Sequence, residues 1–510
     1  MKKRTLISIL LTAVLAVSAL AGCSSKGGDK AENGKNASPS SDQTTVKAFI
    51  MGGATFPDGE DINHNPWMTM LREETGVDLQ IQYGPAAADE YMNKLNLMLA
   101  SGDIPDLFII PSANQSWLMD NAKLGAIMRL DGKLDAYANL MNAVYPEAWD
   151  AVTYNGGIYG VPVLADGNSA TDNVYIRKDW LDKLKLDVPK TLDEFVKVAK
   201  AFKEQDPDGN GKADTLGLIA YDNMLAWSSL FGAFGVIPGY WVEKNGTLVP
   251  ADIQPEMKDA LAYIHQLFAD KVLDNEWPIT KKAAYEEKVA NGKAGLYEGS
   301  WAAARSEIQT SRQNDPKADW IAIAPPVGPG GKQGVFGGPK YKSIIAISSK
   351  AKNVDAILKL LDWQAVPENR DKFVFGFGQY GENFMYTKKN GSIELNFDNH
   401  NKYGYRQQLM FMQPKELNEQ KMEALGPQFK LNDMIKLSIQ YGIPNAFTGA
   451  PTPSMVENQS ALDKLRQETF TKIIIGELPV SAFDDFVASY KAKGGDKIMK
   501  EVADWYAEKK

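Results

Sequence analysis

From Val46 onward the chain switches repeatedly between two hydrophobic periods, and this restricts the fold more than any other feature. Residues 46–51 are largely apolar and strand-like. Residues 65–75 place Trp67, Met70 and Leu71 at helical spacing and stop at Gly76, a residue type that closes helices. Residues 77–81 alternate with period two. Residues 89–100 are helical again and end before Gly102. Residues 105–110 are short and largely apolar, as a strand covered on both faces must be. Strand, helix, strand, helix, strand is the signature of an α/β sheet with parallel pairing.

The pattern returns after Tyr175. Residues 192–204 predict a helix opened by Thr191, with Glu194 completing a capping box. Further helices are expected over 256–269 and 300–311. A Pro/Gly-rich break at 325–331 precedes a strand at 343–348 and a helix at 354–364. The remainder is mainly helical, over 454–475, 480–492 and 495–509. A chain of 510 residues with two such α/β stretches is long enough for two large lobes.

The N-terminus sets the compartment. Lys2, Lys3 and Arg4 precede an apolar stretch, 6–20, that is too short for a mature membrane span. Leu20-Ala21-Gly22-Cys23 follows and holds the chain's one cysteine. This resembles a bacterial lipoprotein signal peptide with its lipobox. The resemblance implies a signal peptide over 1–22, cutting before Cys23, a lipid on its thiol and attachment to the extracellular face of the membrane. Residues 24–45 contain no aromatic side chain and little aliphatic surface, so with Cys23 they form a lipidated, flexible tether, 23–45. No later stretch reaches 18 apolar residues.

Composition excludes several chemistries. With 56 Lys plus Arg against 64 Asp plus Glu, the net charge of -8 argues against a nucleic-acid partner. One cysteine and three histidines leave no Cys-rich metal site and little room for histidine-based metal catalysis. There is no GxxxxGK[ST], HExxH, GxSxG or CxxC motif. Residues 376–381 match GxGxxG formally but read as a glycine-rich turn. Glu286 and Glu287 are sequence neighbours and read as solvated surface.

One segment points to a hard cation. Asp206, Asp208, Asn210 and Asp214 occupy positions 1, 3, 5 and 9 of a calcium-type loop, with the Lys212 carbonyl at position 7 and glycine at position 6. Position 12 is Gly217, so the bidentate acid is missing and Thr215 is the substitute ligand considered. The expected role of calcium is structural, because nothing nearby in sequence supplies a base or nucleophile.

Aromatic residues carry the ligand argument. Sugar rings present CH faces to aromatic side chains and hydroxyl edges to Asn, Asp, Glu and Arg. Trp301, which follows Glu298, and Trp67, which follows Asn65, are the better candidates for a cleft, with Trp227 and Tyr380 also in probable loops. Arg177 would be the local cation able to accommodate an acidic ligand.

Several ordered motifs then converge on one family. They are Ser101-Gly102-Asp103-Ile104-Pro105-Asp106-Leu107, Gly157-Ile158-Tyr159-Gly160-Val161-Pro162 and Tyr175-Ile176-Arg177-Lys178-Asp179-Trp180-Leu181. Asn291-Gly292-Lys293-Ala294-Gly295-Leu296, Gly299-Ser300-Trp301 and Gly449-Ala450-Pro451-Thr452-Pro453 follow. Together with the lipobox they resemble extracellular solute-binding proteins, family 1, of ABC transporters, in particular LipO-like lipoproteins similar to alginate oligosaccharide-binding proteins.

The resemblance implies a periplasmic-binding-protein-like fold: two α/β lobes, a hinge, an inter-lobe cleft and a helical C-terminal part. The segments expected are 46–165 for the N-lobe, 166–328 for the C-lobe, 329–395 returning to the N-lobe and 396–510 completing the C-lobe. It also implies closure on a ligand and delivery to permease subunits. The ligand set it implies for calcium is Asp206, Asp208, Asn210, the Lys212 carbonyl and Asp214, and it maps sugar stacking best onto Trp301. The reading is a non-enzymatic, monomeric binder of a neutral or mildly modified oligosaccharide. The alternatives are a peptide-binding or sensory lipoprotein and a surface carbohydrate-active enzyme, which would need two carboxylates facing a cleft, one with a raised pKa.

Overall fold

The computed structural model describes residues 44–165, 172–377 and 385–510. Its two larger sheets are built from β1 (Thr44–Met51), β2 (Val77–Gly84), β3 (Leu107–Pro111), β4 (Val161–Leu164), β5 (Asp172–Arg177), β6 (Leu216–Leu218), β7 (Ala294–Ser300), β8 (Trp320–Ile323) and β9 (Tyr341–Ile347).

The first sheet has the order β2-β1-β3-β9-β4. β1 runs parallel to β2 and β3, and β9 runs antiparallel to β3 and β4. Two helices make the parallel crossovers, α1 (Pro66–Thr75) and α2 (Ala88–Ser101). The start of α1 is set by Asn65, whose Oδ1 accepts from the Met68 N–H at 3.0 Å, with proline in the first turn. Both helices end on a left-handed glycine, Gly76 (φ 73°) and Gly102 (φ 77°).

The second sheet has the order β8-β5-β7-β6, with β5 antiparallel to β7 and β8, and β7 parallel to β6. Helix α3 (Leu192–Glu204) opens with the capping box of Thr191 and Glu194 and lies against β6. Gly217 permits that approach, since a Cβ there would stand 2.0 Å from the Ala199 carbonyl oxygen. Helix α4 (Lys282–Ala290) leads into β7, and the C-terminal helices α5 (Pro453–Ile474) and α6 (Asp496–Lys509) finish this half.

Each sheet has its own apolar core. Val46 to Leu164 and Ile344 to Met412 supply most of the first. Val174 to Val335 and Met455 to Val502 supply the second, and a smaller third cluster joins Tyr175, Tyr285, Tyr297 and Trp320 to Met434 and Ile435. The outgoing and returning passages between halves run side by side, where the Ala165 N–H donates to the Lys340 carbonyl at 3.0 Å.

Two expectations need correction. The returning segment does not leave the first half at 395: Tyr403, Tyr405, Leu409 and Phe411 are buried in the first core. The helix expected over 300–311 is two pieces, Trp301–Arg305 and Glu307–Asn314, separated by Ser306 with φ -113° and ψ -105°. Among the described residues no helix is long and apolar enough to cross a membrane.

Candidate functional site

The carboxyl ends of β6 and β7 and the start of β5 meet at one end of the second sheet, because Ser300 pairs with Asp172. Ligands of α/β proteins settle at such strand ends. A cavity of about 530 Å³ opens there. Tyr221 and Asn223, just after β6, line one side, and Glu298 to Ser300 of β7 line another. Tyr285 and Glu286 of α4, Tyr297, Phe336 and Glu307 complete much of the wall.

Glu298 anchors this wall. It is 4% exposed, and both carboxylate oxygens are occupied. The Ser228 hydroxyl donates to Oε2 at 2.9 Å, the Ser229 N–H donates to Oε1 at 3.1 Å, and the Ser229 hydroxyl also donates to Oε1. Burial pushes its pKa up to about 7; the Ser229 hydrogen bonds oppose the rise and nearby Asp172 adds to it. The Tyr285 hydroxyl donates to the Glu298 carbonyl at 2.7 Å, fixing the strand end. Glu307 accepts from the hydroxyls of Tyr297 and Ser306.

Asp172 differs. Its side chain lines the cavity, and no hydrogen bond to it is made among the described residues. Burial raises its pKa to about 6, against a lowering by Lys282, which is itself paired with Glu286.

A family model described as bacterial extracellular solute-binding protein matches residues 65–371, more than half of the chain. The chain belongs to this family. The solute-binding protein is 29% identical to lipoprotein LipO of Bacillus subtilis over 97% of both chains. It is 27% identical to the polygalacturonan/rhamnogalacturonan-binding protein YtcQ of the same species, over 100% of this chain and 99% of that one. It is 30% identical to the fructooligosaccharide ABC transporter substrate-binding protein FusA of Streptococcus pneumoniae, over 71% of this chain and 68% of that one. Among solved structures, the alginate-binding protein AlgQ2 without calcium superposes with a TM-score of 0.68 at 21% identity, covering 92% of this chain and 99% of that one. An EF-hand mutant of FusA with fructo-nystose superposes at 0.67 and 23% identity, covering 91% and 99%. The periplasmic-binding-protein-like fold with two α/β lobes is therefore that of this solute-binding protein.

The structure separates the residues singled out by sequence. Glu298 lines the cavity. Trp301 is half-buried on the turn that leads from β7 to Ala302 and Ala303 of the cavity wall. Trp67 presents no face to a ligand: it is 1% exposed, packed on Phe377 at 4.6 Å and Tyr405 at 5.5 Å, with its Nε1–H donating to the Lys372 carbonyl. Trp227 is likewise buried, edge-on to Trp277 at 4.6 Å. Asn65 uses its amide as a helix cap and for the Asp61 and Ile62 carbonyls. Arg177 is 1% exposed, bidentate to Asp179, bonded to Asp315 and set against the rings of Trp180 and Trp320. Tyr380 and Cys23 lie outside the described residues. Glu286, read as solvated, lines the cavity, whereas Glu287 is exposed. Asp172, Tyr221, Tyr285 and Tyr297 escaped sequence reasoning. The signal available was Tyr297-Glu298-Gly299-Ser300, where aromatic, acid and glycine coincide at a strand end.

The cation loop keeps a turn scaffold without a ready ligand set. Asp206 accepts from the Asn210 and Gly211 N–H groups at 3.1 Å each, and Asn210 Oδ1 accepts from the Lys212 N–H at 2.7 Å. The Asn210 amide donates to Asp208 at 2.7 Å and to Asp214 at 3.1 Å, and Lys293 pairs with Asp214 at 2.5 Å. Among the described residues no three His, Cys, Asp or Glu side chains are grouped to hold a metal. The Thr215 hydroxyl is buried and donates to the Phe202 carbonyl at 2.7 Å, which corrects its reading as an outward ligand. The missing acid at position 12 has a packing cause, since Gly217 has no room for a side chain.

Proposed function

We propose that this solute-binding protein captures an oligosaccharide at the Tyr-lined cavity beside Glu298 and delivers it, as a monomer, to the permease of an ABC transporter. The carrying observation is a cavity at the strand ends of a solute-binding fold that is lined by the half-buried rings of Tyr221 and Phe336 and by carboxylates. The names of FusA and YtcQ, which specify saccharide ligands, support the same class. A lipid on Cys23 would hold the protein at the extracellular face of the membrane, in keeping with the lipoprotein name of LipO. Replacing Cys23 with alanine should release the protein into the medium.

One observation favours a second reading: Asp172 and Glu298 are two carboxylates at one cavity with raised pKa values. Hydrolysis would require one of them to reach the leaving oxygen as an acid. Both oxygens of Glu298 are already held by Ser228 and Ser229, which leaves Asp172 without a free second carboxyl of this pair to work with, so capture without turnover fits better. Calorimetric titration of the chain from Ser24 onward against oligosaccharides and peptides, with product analysis after incubation, tests this. Binding of a saccharide without cleavage is expected; cleavage products would establish the enzyme, and binding of peptides alone would overturn the sugar reading.

The loop 206–214 is proposed as a structural calcium site. Its oxygens are those a hard cation takes, the engaging groups Asn210 and Lys293 are not buried, and the FusA structure named as an EF-hand mutant indicates such a motif in that relative.

A further inference from the structure

The balance of charge and hydrogen bonding around the cavity restricts which saccharides it accepts; this step rests on the oligosaccharide reading above. Five ionisable side chains other than tyrosine line it: Asp172, Glu286, Glu298, Glu307 and Lys282. The single cation among these described residues, Lys282, is paired with Glu286. Glu298 is held by two serines, and Glu307 by Tyr297 and Ser306. The arginine that sequence offered for an acidic ligand, Arg177, is locked between Asp179 and Asp315.

Asp172 alone is left facing the cavity as an acceptor that no described protein donor reaches. A carboxylate in that position gains from a donor and repels a second carboxylate. We infer that the cavity selects saccharides without carboxylate groups, and that Asp172 accepts a hydrogen bond from a hydroxyl or ammonium group of the sugar. Uronate chains, the ligand chemistry in the name of YtcQ, are rejected by the same residue.

The test is titration of the chain from Ser24 onward with three sets of trisaccharides: neutral (kestose, maltotriose, xylotriose), amino (triglucosamine) and acidic (trigalacturonate, trimannuronate). Neutral or amino sugars should bind, and the acidic set should bind at least about a hundredfold more weakly, as expected for an added like-charge contact at short range. D172N should weaken the accepted sugar about tenfold, the loss of one charge-assisted hydrogen bond. It should also narrow the gap to the acidic set. D172E keeps the charge and should retain the discrimination, so a D172N that fails to fold does not decide the matter. A preference for triglucosamine would assign the donor as ammonium; a preference for the neutral set would assign it as hydroxyl. Acidic sugars binding as tightly as neutral ones, or a folded D172N with unchanged affinities, would overturn the inference. No binding in any set would overturn the oligosaccharide reading itself.

Discussion

Glu298 allows a stability prediction to be worked from geometry. Its carboxyl is almost fully buried and its pKa stands at about 7, against an ordinary value of 4.5. Between these values the folded protein keeps a proton that the unfolded chain has released. The unfolded state therefore binds fewer protons, and stability falls as pH rises. The stabilisation is fully present below pH 4.5 and is lost as pH passes through 7. At about 1.4 kcal/mol per pKa unit the loss is on the order of 3 kcal/mol. Glutamine at this position removes the titration and keeps the contacts. Its oxygen can accept from the Ser229 N–H and hydroxyl, and its amide can donate to Ser228 Oγ, which already accepts from the Phe336 N–H. E298Q should thus match the wild type near pH 4.5 and exceed it by about 3 kcal/mol at pH 8. Denaturant unfolding followed by tryptophan fluorescence, repeated across that range, measures the difference. Parallel profiles for the two proteins would refute the reasoning.

Other perturbations probe the frame around the site. R177A should cost about 3–5 kcal/mol, because Asp179 loses a buried bidentate partner; R177K should not restore it, and urea midpoints would show both. G217A should cost about 3 kcal/mol or more, since its methyl group would overlap the Ala199 carbonyl, and a melting temperature close to wild type would contradict that packing. Calcium should raise the melting temperature reversibly, with a gain of about 2.7 kcal/mol at one hundred times its dissociation constant. The effect should vanish on chelation and in D206N/D208N, and a calcium response surviving in that variant would place the ion elsewhere.

Elements whose boundaries are decided by local chemistry are legible in the sequence. Residues 65–76 and 191–204 carry their own start and stop signals, so α1 and α3 could be placed within a residue or so. Trp67 and Trp227 show the opposite case. Each sits near loop-like residues, and nothing local records that Phe377, Tyr405 or Trp277 will arrive to cover it. The same holds for the limit of the returning segment, where Tyr403 to Met412 is drawn into the first core by partners hundreds of residues earlier, such as Trp67 and Glu60.

The α/β alternation, the helix caps and the turn at Asp206 were legible because each depends on residues a few positions apart. The cavity was not. It exists because β5 pairs antiparallel with β7, which sets Asp172 opposite Ser300 across 128 residues of chain, and because Ser228 and Ser229 reach Glu298 from 69 or 70 residues away. Local spacing sets φ, ψ and amphipathic faces, whereas the site's charge and its hydrogen-bond partners come from strand pairing over long sequence separations. That pairing set Asp172, an acid that nothing local singles out, in the wall of the same cavity as Glu298, the acid beside Trp301.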